Sequence, residues 1–232
     1  MDFDALVSDY YKDYYSCVHG GSATGRAASL MQKHLETRRS KSEEYTRVLE
    51  LGAGTMQHFP FVEHKFKTYI ASDLREIPTT PGWGRWGDRR QPDLDGKFLA
   101  QFDATNVPFD DSSFDRVVAT CLLLHLPEPI DALRDWVRIL KTGGVADLLI
   151  PCEPGLALRS YRKLISRPRA NRLGFKHFDL VNAVDHRNYT ASIIQIVNHL
   201  DDSVDVQFSW RPFNRIQSWN LNLQMVVHLT KQ

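Results

Sequence analysis

Three acids, Glu50, Asp73 and Asp103, each stand at or just past the end of a short apolar run, and the turn Gly52-Ala53-Gly54 follows the first of them. Val48 to Leu51 read as a buried strand that carries its carboxylate near the end. Gly52 and Gly54 let the backbone turn sharply and approach a ligand where a Cβ would interfere. A carboxylate beside such a turn suits a cationic or hydroxyl-rich ligand better than a bare phosphate. Asp73 follows Tyr69-Ile70-Ala71-Ser72, roughly 20 positions after the first acid, where a ribose-binding carboxylate is expected in a βαβ unit. Asp103 has the chemistry to accept a hydrogen bond from a purine amine. A single glycine turn or a single strand-end Asp is as readily a plain turn or a helix cap. Three acids in register converge on one crevice at the carboxyl ends of a parallel sheet.

The elements that must hold those acids are legible. Short apolar strands at Val48 to Leu51, Thr68 to Ser72, Phe98 to Phe102, Arg116 to Thr120 and Val145 to Ile150 alternate with loops and helices. Pro129 to Lys141 has a helical face of Ile130, Leu133, Trp136, Val137 and Leu140, and Thr142-Gly143-Gly144 predicts a left-handed stop. Ala27 to Thr37 is an amphipathic helix with Ala28, Met31 and Leu35 on one stripe. Strand, helix, glycine turn, strand is the order of parallel α/β units. Val204 to Trp210 and Leu223 to Thr230 form a terminal antiparallel hairpin. Two stretches exceed a minimal core: Ile77 to Gly96, an irregular excursion rich in Pro, Gly, Trp and Arg, and Leu156 to His199, largely helical.

One domain over 1–232 is expected, with a helical N-terminal lid (1–47), a cofactor-binding core (48–151), a helical substrate-side insertion (152–200) and the hairpin (201–232). Charges nearly cancel, 29 basic against 28 acidic for a net +1, which excludes a general nucleic-acid binder. No window approaches the ~20 apolar residues of a membrane span, and Met1-Asp2-Phe3-Asp4 is not the start of a signal peptide. Three scattered cysteines form neither a disulfide framework nor a zinc site. A cytoplasmic protein, with neither nucleic acid nor membrane as partner and monomeric or dimeric, is expected.

The run Val48-Leu49-Glu50-Leu51-Gly52-Ala53-Gly54, then Ala71-Ser72-Asp73, Asp103-Ala104-Thr105-Asn106-Val107-Pro108-Phe109-Asp110-Asp111-Ser112-Ser113-Phe114-Asp115, Leu124-His125-Leu126-Pro127-Glu128-Pro129 and Arg138-Ile139-Leu140-Lys141-Thr142-Gly143-Gly144 resembles the class I S-adenosylmethionine-dependent methyltransferases. The resemblance covers roughly residues 48 to 151, in the family's order and spacing. It implies a Rossmann-like, mostly parallel seven-stranded sheet flanked by helices, and S-adenosylmethionine as cofactor. By resemblance Gly52, Ala53 and Gly54 pass under the methionine part, Glu50 orders that turn, Asp73 with Leu74 holds the ribose, Asp103 with Ala104 meets the adenine, and Thr120 and Cys121 flank the sulfonium. The chain departs from the family at Met56, where a small residue is usual; with His58 and Pro60 it predicts a shortened or irregular first helix. A nicotinamide dehydrogenase would need a third glycine at a well-formed helix N-terminus, so Met56 weighs against that rival.

Methyl transfer from a sulfonium is an in-line displacement that needs near-attack geometry, a dry site and, for a hydroxyl acceptor, a base. His125, after the fourth strand on the crevice side, is the first candidate for that base, with His177 and His186 as alternatives; it is equally a loop residue packed beneath the cofactor. Arg159, Arg162, Lys163, Arg167, Arg169, Arg172 and Lys176 form a basic run with no acid, read either as anion recognition or as a solvated face. Tyr15, His19, Arg159, Arg162 and His186 are assigned to the acceptor. The His/Asp mixture at His177 to Asp179 and Asp185 to His186 matches no familiar zinc spacing, so no metal is expected. The expected reaction is methyl transfer to oxygen or nitrogen of a small molecule, a sugar or an anionic metabolite. A catalytically silent homologue and a protein or nucleic-acid methyltransferase stand as the alternatives.

Overall fold

The computed structural model describes residues 2–14, 23–78, 81–86 and 95–232, with side chains except at 4, 12 and 23–29. Tyr15 and His19 lie outside the described residues. Helix α1 (Phe3–Asp9) runs on as a π-helical turn, Tyr10–Tyr14, and α2 is Ala23–Glu36. The strands are β1 (Glu44–Leu51), β2 (Lys65–Asp73), β3 (Gly84–Arg85), β4 (Gly96–Gln101), β5 (Phe114–Thr120), β6 (Leu140–Pro151), β7 (Val204–Arg211) and β8 (Gln224–Lys231). Helix α3 (Pro129–Ile139) precedes β6. Between β6 and β7 come α4 (Leu156–Tyr161), a π turn (Arg162–Ser166), α5 (Arg167–Arg172), α6 (Phe178–Asp185) and α7 (Thr190–Asn198).

All the strands join one sheet in the order β3-β4-β2-β1-β5-β6-β8-β7. It is parallel except where β8 lies antiparallel between β6 and β7. Chain order reverses between β1 and β5, which places the ligand crevice at their carboxyl ends. The sheet has eight strands where seven were expected. The additional one is β3, whose Gly84 and Arg85 pair with Phe98 and Leu99 at the edge, inside the excursion read as irregular.

Alternation along the central strands divides the core. Leu49, Leu51, Ile70, Val117 and Ala119 share one face with Leu133, Trp136 and Ile139 of α3. Val48, Tyr69, Ala71, Val118 and Leu149 share the other with Leu35 of α2. Each such fully buried aliphatic side chain contributes ~1.5–3 kcal/mol. The helix does not end on its glycines: Leu140, with φ −70 and ψ 139, already leads into β6, and Gly143, at φ 75, falls where the β5–β6 register shifts. Strand pairing of Leu140 with Phe114 takes over before a left-handed cap can form.

No α-helix follows β1. A single 3-10 turn, Phe59–Phe61, stands there, with Pro60 inside it and Met56 before it at φ 62, as the departure at Met56 predicts. A buried polar chain lies on the α2 side of the sheet. Arg116 of β5, fully buried, bonds Glu36 of α2 at 2.6 Å and Asp147 of β6 at 2.8 Å. Asp147 also takes Arg39 at 2.6 Å and His228 at 2.7 Å, while Glu36 meets His58 at 2.8 Å. The guanidinium is thus matched on both sides, the condition for burying charge.

Candidate functional site

The tips of β1 and β2 are laced together through the glycine turn. The Ala53 amide donates to Ser72 O at 2.9 Å, and the Gly54 amide to Asp73 Oδ2 at 2.9 Å. The Arg75 amide donates to Asp73 Oδ1 at 2.9 Å, so both oxygens are held in place and each keeps acceptor capacity for a ribose hydroxyl. Gly52 and Gly54 have φ of 65 and 52, left-handed values that glycine adopts without strain. A Cβ on Gly52 would meet Leu122 Cδ1 at 3.0 Å, whereas one on Gly54 would have no atom within 4 Å. The space in front of Gly54 is open.

Asp103, beyond β4, accepts from the Thr105 amide and hydroxyl at 2.8 Å each through Oδ1. It is therefore fixed as an Asx-type turn, with Oδ2 free of hydrogen bonds among the described residues. The Phe102 amide donates to Asp73 O at 3.2 Å, which ties the β4 tip to the β2 tip. Leu74 is exposed beside Asp73, and Ala104 is buried, its carbonyl accepting from Trp136 Nε1 at 2.8 Å. Thr120 closes β5, and Cys121 follows at φ 54 with its amide bonded to Leu149 O. Glu50 departs from the expectation. It is fully buried, 2.7 Å from Tyr69 Oη and 3.5 Å from His58 Nδ1, so its carboxylate stands behind the turn and not at the mouth. The reason is parity: Glu50 shares the face of Val48, toward α2, and not the face of Leu49 and Leu51.

Beside the β5 tip lies a cavity of about 140 Å³. Its walls include Tyr10, Tyr11, Leu124, Leu158 and Tyr161, with His125, His186, Arg162, Gln32 and Asn182 as polar groups. The loop after β5 brings His125 to it, and the residue after α6, His186, also lines it, with Asp185 against His125. His125 Nδ1 lies 3.1 Å from Asp185 Oδ2 and 3.2 Å from the Asp185 carbonyl. Both partners are acceptors, so Nδ1 carries a proton and donates to Asp185. Tyr11 donates to the same Asp185 Oδ2 at 2.6 Å. Burial alone would raise the Asp185 pKa, but the hydrogen bonds from His125 and Tyr11 hold it below the ordinary carboxylate range. Arg75, whose amide bonds Asp73, stacks over the Tyr11 ring at 4.7 Å.

A second pair backs the first. His186 Nδ1 meets Glu153 Oε2 at 2.5 Å, and Arg162 is ion-paired with the same carboxylate. Burial pushes His186 below the usual imidazole value despite Glu153. Burial likewise pushes the Cys121 thiol up to about 12, which makes it a wall and not a nucleophile. One ligand atom each from His125, Asp185 and His186 lies within 4.8 Å of the others, a grouping the sequence spacing did not suggest. Arg159 is exposed and is not among the residues that line the cavity, nor is the exposed His177, which precedes α6. Asp185, Glu153, Gln32 and Gln57 were not singled out as site residues. Only Asp185 left a trace, as the neighbour of His186.

Residues 49–146 match the family model of the methyltransferase domain. The match covers less than half of the chain. A demethylmenaquinone methyltransferase of Paenarthrobacter aurescens is 35% identical over 112 residues, 47% of this chain and 41% of that protein. The chloroplastic 2-methyl-6-phytyl-1,4-hydroquinone methyltransferase 1 of Oryza sativa is 35% identical over 66 residues, 28% of this chain and 20% of that protein. The chain thus aligns with less than half the length of these curated relatives. Among solved structures, a Thermotoga maritima S-adenosylmethionine-dependent methyltransferase, described as a possible histamine N-methyltransferase, superposes with TM-score 0.60 at 18% identity over all of both chains. An N-methyltransferase of Bradyrhizobium japonicum in complex with S-adenosyl-L-homocysteine gives 0.58 at 13% identity, over 100% of this chain and 99% of that one. The chain has the α/β fold of these structures, and the glycine turn, Asp73 and Asp103 stand at the carboxyl ends of β1, β2 and β4, beside the point where chain order reverses.

Proposed function

We propose that the chain transfers a methyl group from S-adenosylmethionine to a small molecule held in the His125 cavity. The observation that carries this is the His125–Asp185 pair, which holds the imidazole through Nδ1 beside the β5 tip. Gly52, Ala53, Gly54, Asp73 and Asp103 would hold the cofactor, with Leu74, Ala104, Thr120 and Cys121 around it. The cofactor supplies an electrophilic methyl on sulfur. His125 takes the proton from the acceptor, Asp185 steadies the imidazolium that results, and Tyr11 orients Asp185. Tyr10, Tyr161, Leu124 and Leu158 exclude water. Gln32 Oε1, buried and without a hydrogen-bond partner, offers an acceptor to the substrate.

The cavity favours a neutral substrate over the anionic one, because Arg162 is already matched by Glu153 and Arg159 stands outside. An oxygen or nitrogen bearing an ionisable proton is the primary target. The names of the curated relatives favour a second reading, a hydroxylated ring that is methylated on carbon once its hydroxyl has lost a proton. The same base serves both. Calorimetry with S-adenosylhomocysteine tests the cofactor half, and the absence of binding heat would refute it. Transfer of labelled methyl to a panel of hydroquinones, phenols and amines tests the other half; no product with any class, despite cofactor binding, would favour the silent homologue.

A further inference from the structure

The inner side of the α4–α5 segment lines the cavity through Leu158, Tyr161, Arg162 and Ser166. Its outer side has a different character. Arg159, Lys163 and Arg172 are exposed there, together with Leu164 at 74% exposure and with Ile165 and Leu173. No acid occurs between Glu153 and Asp179. In the basic run, Arg162 is ion-paired with Glu153 and Arg167 with Asp179, the latter at 3.1 Å. Arg159, Lys163, Arg172 and Lys176 have no ion pair among the described residues. The β7–β8 connection joins this side: the Ala157 amide donates to Asn220 O at 2.9 Å, and the connection exposes Phe213, Ile216 and Leu221 around Arg215. No acid follows Asp205 to the end of the sequence at Gln232.

Large exposed aliphatic and aromatic side chains interleaved with cations are the composition of a surface that lies in a lipid headgroup layer. Solvation alone favours the cations and disfavours Leu164, while a polyanion such as nucleic acid would use the cations and leave the leucines idle. We propose that the outer side of α4–α5 and the β7–β8 connection dock on the surface of an anionic bilayer, with Leu164, Ile165 and Phe213 entering the headgroup region and Lys163 and Arg172 meeting lipid phosphates. This runs against the expectation of no membrane partner, which rested on the lack of a spanning segment. No helix among the described residues is long and apolar enough to cross a membrane, so the contact is peripheral. The surface stands independently of what the cavity methylates.

Co-sedimentation of the full chain with vesicles tests it. Binding is expected to phosphatidylcholine vesicles containing about a third phosphatidylglycerol, to be weak on phosphatidylcholine alone, and to fall as salt is raised to roughly 0.5 M. The double variant Lys163→Glu/Arg172→Glu should weaken binding roughly tenfold or more, and Leu164→Ser should weaken it at unchanged net charge. Circular dichroism should show both variants folded, since all three side chains are exposed. Equal binding to neutral and anionic vesicles, or none to either, would overturn the proposal. So would Leu164→Ser binding as wild type while heparin or single-stranded DNA competes fully, which would mark a nucleic-acid surface instead.

Discussion

His125 and Asp185, far apart in sequence, meet at 3.1 Å between the loop after β5 and the end of α6, and Tyr11 of the N-terminal segment closes on the same carboxylate at 2.6 Å. The contact orients the imidazole and ties the N-terminal segment and the β6–β7 segment to the loop after β5. His125→Ala should lower kcat by about 10²–10⁴-fold, with S-adenosylhomocysteine affinity unchanged. Asp185→Asn keeps the shape but removes the charge behind Nδ1–H, and should lower kcat by at least about tenfold. Single-turnover rates at saturating cofactor measure both. A change in KM alone would mean that the pair only shapes the cavity.

The core half of this site was legible because its signals are local. Gly52, Gly54, Asp73 and Asp103 each follow a strand that alternation reveals, and a parallel sheet brings strand ends together without further information. The acceptor half depends on contacts between distant segments. Nothing around Asp185 announces His125, and Glu153 resembles any loop acid until His186 and Arg162 reach it. Glu50 was read as a cofactor residue from its place in the motif, yet strand parity turned it toward Tyr69 and His58. β3 was missed because two residues carry no periodicity. The basic run was seen, but its two sides were not: the helical turn that aims Arg162 inward aims Lys163 and Leu164 outward.

The Gly54 amide ties the glycine turn to the Asp73 carboxylate. Asp73→Ala removes an acceptor that would make charge-assisted bonds to two hydroxyls, together with the clamp on the turn. A loss of ~1.5–3 kcal/mol for a bond to a charged group corresponds to roughly ten- to a hundred-fold weaker cofactor binding. Calorimetry with S-adenosylhomocysteine measures it. Undiminished affinity would refute the ribose assignment.

Arg116 has the opposite character, deep in the sheet and remote from chemistry. Arg116→Met leaves Glu36 with His58 as its remaining cation and takes one of the two guanidinium groups from Asp147. Breaking a buried pair from one side costs ~3–5 kcal/mol. Urea unfolding should show a midpoint shift of that size with an unchanged slope. A shift below about 1 kcal/mol would mean that water reaches the network.

Together with two further buried histidines, His34 and His64, the network sets a pH optimum for stability. Burial, and then the charge of a neighbouring arginine, lowers His34 and His64 from 6.5 to about 4. The unfolded chain therefore binds more protons than the native one between those values, and stability falls as pH drops from 6.5 toward 4. For Glu36, burial is overcome by His58 and Arg116, which hold it at about 2 against 4.5, so its contribution is present above 4.5 and is lost as pH falls toward 2. His58 goes the other way. Burial would lower it, but Glu50 and Glu36 raise it from 6.5 to about 9, so its contribution is complete below 6.5 and is lost as pH rises through 9. The two trends meet near pH 6.5, where the urea midpoint should peak. His58→Gln should flatten the alkaline side while the acid side set by His34 and His64 persists, and an alkaline fall that survives this substitution would assign the effect to another group.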